Sequence, residues 1–121
     1  MSIKLIVLNT GERVVANIHE MRNKDRVTIG YVMVHPQILS MTKAVASAQK
    51  FQTNEPEFKV TFTPWNPFSK HQQFRLNIFS IVSLNDVRED VEKIYIDEFH
   101  DENWEFIPEE LSIQYTDFEL T

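Results

Sequence analysis

The 121-residue chain has no cysteine, which excludes disulfides, thiolate zinc centres and a cysteine nucleophile. It has only 2 glycines, too few to build a phosphate-cradling loop. No apolar run approaches the roughly 20 residues of a membrane-spanning helix, so a transmembrane helical protein is excluded. The short apolar stretch Ile3–Leu8 leads straight into Asn9-Thr10-Gly11 with no small-residue cleavage site, unlike a secretory signal. The expectation is a cytoplasmic protein, of a cell or of a virus growing inside one. What is present, 42% hydrophobic and 25% charged residues, suits one globular domain.

The net charge of −6 conceals a division along the chain. Residues 1–85 carry +5 and residues 86–121 carry −11, so a basic body is followed by an acidic segment. Such asymmetry serves solubility in many proteins, and in others it marks a polyanion-binding surface with a competing acidic tail.

The hydropathy pattern predicts a mainly β fold. Ile3–Leu8 reads as a strand, Gly11 supplies the positive φ of a tight turn, and Val14 to Ile18 alternate as a second strand ending in the charged loop Arg22-Asn23-Lys24-Asp25-Arg26. Val27 to His35 reads as a third strand closed by Pro36, with Gly30 marking a bend or a close backbone approach. Residues 37–57 fit a short helix or a continued bent strand and are treated as a long connection broken at Asn54-Glu55-Pro56. Phe58–Thr63 reads as a strand, Trp65 to Gln73 as a loop, and Phe74 to Leu84 as one long last strand, apolar on both sides. Asp86 then stands three residues before Glu89 as a helix cap, and Val87, Val91, Ile94, Tyr95 and Phe99 recur at helical spacing over 86–100. This makes a domain over 1–100, with 101–121 as an acidic arm rather than a second domain.

Five strands with this spacing resemble the Sm/LSm proteins. The segment Leu8-Asn9-Thr10-Gly11-Glu12-Arg13-Val14-Val15-Ala16-Asn17-Ile18 is similar to the family's first motif, with Ala16 where the family usually has Gly. Ile78-Phe79-Ser80-Ile81-Val82-Ser83-Leu84 has the apolar spacing of its final strand, with Leu76-Asn77 where the family carries Arg-Gly. Small Sm-like proteins of tailed phages, of the marine cyanophage type, are similar in the Thr-Gly-Glu hairpin, the span from Tyr31 to Pro36, Pro64-Trp65-Asn66-Pro67 and a late helix with Tyr95. In Sm proteins the helix precedes the first strand, whereas here it comes last. The resemblance implies a small, strongly bent five-stranded antiparallel barrel with a C-terminal helix. It also implies a closed ring of identical subunits joined through Phe58, Val60 and Phe62 of one strand and Phe74, Leu76, Ile78 and Phe79 of the next.

The four histidines stand 16, 36 and 29 residues apart, without a metal-presetting spacing, and no metal, cofactor or catalysis is expected. The two loops hold the residue types that stack bases and track phosphates: Arg22, Asn23, Lys24 and Arg26 in one, and Trp65, Lys70, His71 and Arg75 in or beside the other. Trp65 fits equally well as a cover for the end of the barrel. In the Sm architecture both loops are expected at a central pore. The functional expectation is a non-catalytic ring binding single-stranded RNA, or DNA, in phage or host nucleic-acid metabolism. The alternative is a phage structural or adaptor oligomer that binds a phage or host protein through the acidic arm, and no nucleic acid.

Overall fold

The structure, a computed structural model, describes residues 2–43, 58–99 and 119–120. It is mainly β, as the hydropathy pattern predicts, and the described residues form seven strands and one late helix: β1 Ile3–Leu8, β2 Arg13–Arg22, β3 Thr28–Lys43, β4 Phe58–Pro64, β5 Gln73–Asn77, β6 Ile81–Asp86, α1 Glu89–Phe99 and β7 Glu119–Leu120. The strands form one antiparallel sheet in the order β4-β3-β2-β1-β6, with β5 added to β3 and β7 to β2. Among the described residues the sheet curls but does not close, since β5 and β6 each pair there on one side only.

The first hairpin follows from Gly11, whose φ of 91° suits a residue without Cβ, and its turn is held by Gly11 N–H donating to the Leu8 carbonyl at 2.9 Å. Gly30 does the other service expected of it. A Cβ there would collide with the Leu76 carbonyl oxygen, so its absence lets β5 pair with β3 from Gly30↔Asn77 to Val34↔Gln73.

Three boundaries differ from the sequence reading. Pro36 does not end the third strand: β3 continues through it to Lys43 and takes β4 as a second partner over Gln37–Lys43. The register explains this, because Asn17 faces Val34 and Val15 faces Gln37, leaving His35 and Pro36 together opposite Ala16. Such a two-for-one bulge leaves a residue outside the ladder, so a proline there forfeits no hydrogen bond. His35 bends the strand with a φ of 50°, and its N–H donates outside the β2 ladder to the Gln72 carbonyl at 2.7 Å. Of the two readings for 37–57, the bent strand holds over 37–43, and residues 44–57 lie outside the described residues.

The expected long strand 74–84 is two strands on opposite sides of the sheet, β5 against β3 and β6 against β1, joined by a 3₁₀ turn at Ile78–Ser80. Apolar residues on both sides of the segment reflect this change of partner rather than one central strand. The helix starts at Glu89 rather than Asp86, which is the last residue of β6 and forms an ion pair with its cross-strand neighbour Lys4. The expected arm 101–121 lies outside the described residues except for β7.

The two faces of the sheet make two cores. Ile6, Leu8, Val14, Ala16, Ile18, Met33 and Leu76 pack inside the curl, with Trp65 and Phe74 against them. Ile3 and Val15 on the opposite face are covered by Tyr95 of α1, with Phe62, Ile96 and Phe99 around it. Ile94, expected on the inner side, is 45% exposed, and the inward apolar positions of the helix are Val91, Tyr95, Ile96 and Phe99. An 11-residue helix is marginal alone, so its stability comes from this contact. Tyr95 is fully buried, its ring stands edge-on to Phe62 at 6.0 Å, and its hydroxyl donates to the His35 carbonyl at 2.7 Å. Burial pushes the phenol up from its ordinary value, so it stays a neutral donor. One side chain thus ties α1 to the β3 bulge.

Candidate nucleic-acid interface

The β2–β3 loop is built on Asn23. Its side-chain Oδ1 accepts from Asp25 N–H at 2.9 Å and Val27 N–H at 3.0 Å, and its backbone closes on Val27 and Arg26 at 3.0 Å each. This is the local bonding that lets asparagine organise a turn. Asn23 is therefore a scaffold residue whose acceptor is occupied, while Lys24 and Arg26 are exposed, the latter held at a φ of 62°. Arg22 is committed differently. Its guanidinium makes two bonds to the Glu20 carboxylate, at 3.0 and 3.1 Å, and the Thr28 hydroxyl donates to the same carboxylate. These bonds, that from Arg22 foremost, hold Glu20 below the ordinary carboxylate range and raise Arg22. Arg22 is thus a brace at the neck of the loop whose charge is largely answered from within.

The turn between β5 and β6 uses the same device. Asn77 Oδ1 accepts from Phe79 N–H at 2.9 Å, and Asn9 N–H donates to the Ser80 carbonyl at 2.9 Å. Phe79 is left 86% exposed. Because Gly30 faces Asn77 and Thr28 faces Arg22, this turn lies at the same end of the sheet as Lys24 and Arg26.

The β4–β5 loop is elsewhere. Its end at Gln73 pairs with Val34, six residues along β3 from Thr28, a separation of about 20 Å at the rise of a strand. The two loops expected at one pore therefore lie at opposite ends of the β3–β5 ladder. Trp65 takes the covering role: its ring packs on the core and meets Phe74 edge-on at 5.3 Å, and its backbone N–H donates to the Pro36 carbonyl at 3.1 Å. Gln72 ties the loop to itself, its amide reaching the Asn66 and Ser69 carbonyls at 3.3 Å. The exposed ring here is Phe68, at 96%, with Lys70 and His71 exposed beyond it and Arg75 exposed on β5.

The residues expected at a subunit interface divide as well. Leu76 is buried, Phe74 packs in the curl, and Phe62 packs under α1, so all three serve the chain's own cores. Val60 is half-buried, and the side chain of Phe58 lies outside what is described. Ile78 and Phe79 face solvent together with Val82, 67% exposed, and Leu84, 37% exposed. Sequence reading missed these last two because the unbroken strand hid that β6 is an edge; the Asn77 turn residue was the available signal.

Among the described residues no group of three or more His, Asp or Glu side chains is arranged to hold a metal ion. Among them too, no helix is long and apolar enough to cross a membrane. No protein-family model matches the chain, and no curated protein matches it.

Proposed function

We propose that the chain is a non-catalytic Sm-like protein whose copies join into a ring and bind single-stranded RNA, or DNA, at the end of the sheet that carries Lys24, Arg26 and Phe79. The observation that carries the reading is the strand succession β5-β3-β2-β1-β6 with a short turn linking its two outer members. That succession suits a small, bent Sm-like barrel left open between β5 and β6. The open edges invite pairing, β5 of one copy with β6 of the next, and a closed ring would satisfy them all. Val82 and Leu84 on β6 are apolar, and the two edges carry few charges to block such pairing, Asp86 at the end of β6 and Arg75 on β5. An exposed ring at the same end of the sheet as two exposed cations supplies the residue types that stack a base and meet its phosphate.

The test is anisotropy of a labelled oligouridylate at rising salt, together with native mass spectrometry. Binding that weakens with salt and is reduced by Phe79→Ala and Lys24→Ala, in a particle of several copies, is expected. Absence of binding at low salt sinks the nucleic-acid reading. A second reading, a phage structural or adaptor oligomer, draws on the run Ile78, Phe79, Val82 and Leu84, since contiguous exposed apolar residues mark protein interfaces. It gains if a ring forms and no oligonucleotide binds.

A further inference from the structure

β2 is longer than its neighbour β1. The β1 ladder begins at Ile3↔Asn17, with Ser2 still accepting from Ile18 N–H at 2.9 Å, so Met21 and Arg22 extend past the start of β1. On one side these two residues pair with β3; on the other, in the lane β1 has left, lies β7, with Met21↔Leu120 and Arg22↔Glu119. The sense is antiparallel, so β7 begins at the Arg22 end, where β2 runs into the loop bearing Lys24 and Arg26. The segment 101–121 that supplies β7 contains seven acids and no lysine or arginine, whereas residues 1–85 carry +5.

We propose that the β2 overhang and the adjoining cationic loop are a docking surface for the chain's own acidic segment 101–121, seated by strand addition at Met21–Arg22 and by charge. A polyanion bound at Lys24 and Arg26 then has to displace it. Strand addition fixes the place and direction, and opposite charge supplies an attraction that salt screens within about 10 Å at 0.1 M. Among the described residues the ladder is two residues long, and in this proposal the segment acts as a competitor rather than as a fixed strand of the sheet. The competition rests on the proposed nucleic-acid reading; the docking does not.

Because the chain has no cysteine, a nitroxide on Thr121→Cys in the full-length protein reports the seat directly. At low salt it is expected to broaden the amide resonances of residues 21–27. Broadening should fade in 0.5 M salt, be abolished by Leu120→Pro, and be relieved by an oligouridylate, which Leu120→Pro should bind several-fold more tightly. Broadening that salt relieves, with no oligonucleotide binding by either form, supports the seat and retires the nucleic-acid reading. No broadening at low salt overturns the proposal, as does broadening that neither salt nor Leu120→Pro alters.

Discussion

The two ends of the β3–β5 ladder carry similar residues and use them in opposite ways. At one end Asn23 and Asn77 spend their side chains on turn bonds, which leaves Lys24, Arg26 and Phe79 facing solvent. At the other, the aromatic residue grouped with the loop cations in the sequence, Trp65, is turned inward onto Phe74, and Gln72 is consumed within the loop. Phe68 stays exposed there with Lys70 and His71, so each end presents a ring and cations, but at this end not the ring that stood out in the sequence. Composition alone does not distinguish the ends.

The largest expected effect removes the anchor between α1 and the β3 bulge, from which both ends of the ladder extend. Tyr95→Ala should cost about 3–5 kcal/mol in urea unfolding, since it vacates a fully buried ring site and removes the hydroxyl bond to His35. Tyr95→Phe should cost only about 1 kcal/mol plus the unmet carbonyl. Next is Gly30→Ala, expected to lose about 3 kcal/mol because its Cβ forces β5 off β3. It should also separate the 3₁₀ turn from the β2–β3 loop, so any oligonucleotide affinity falls with stability. Trp65→Ala and Phe79→Ala are the direct contrast. The first should lower the urea midpoint by an amount equivalent to about 2 kcal/mol without changing oligonucleotide affinity; the second should leave stability within about 0.5 kcal/mol and weaken binding by about 1–2 kcal/mol per stacked base. Equal effects of the two on binding would erase the distinction between the ends.

The smallest effect concerns acid. Glu20 is held below its ordinary range when folded, so its pair with Arg22 contributes stability above the unfolded carboxyl pKa, and that contribution is lost as pH falls through the lower folded value. Between pH 5 and pH 3 the urea midpoint of Glu20→Gln should fall less than that of the parent chain; equal slopes would show that the brace is not coupled to folding.

Much of the sheet was legible because period-2 hydropathy reports half-buried strands, and Ile3–Leu8, Val14–Ile18 and Phe58–Thr63 follow it closely. Gly11 and Gly30 were readable for the same reason, as positions where a Cβ is the difficulty. The failures have a common origin. Pro36, the Ile78–Ser80 turn and Asp86 are places where a strand changes or gains a partner, and local pattern carries no information about partners. The candidate site was half legible: residue types pointed to both loops, but which ring faces water depends on strand register. That register puts Phe79, read as an interface residue, at the same end of the β3–β5 ladder as the cations.

The ladder of β6 on β1 joins residues from the two extremes of the described body, with Lys4 and Asp86 separated by 82 positions. The β2–β3 hairpin, closed by a loop of a few residues, can form while the rest of the chain is still searching. The β1–β6 closure must wait until nearly the whole body has been gathered, and contacts that distant are the ones that slow folding. Until that step is complete, the flank of β1 that β6 covers stays bare in the half-folded chain. That flank is the surface on which an encounter with a second nascent copy would lead to strand exchange instead of folding.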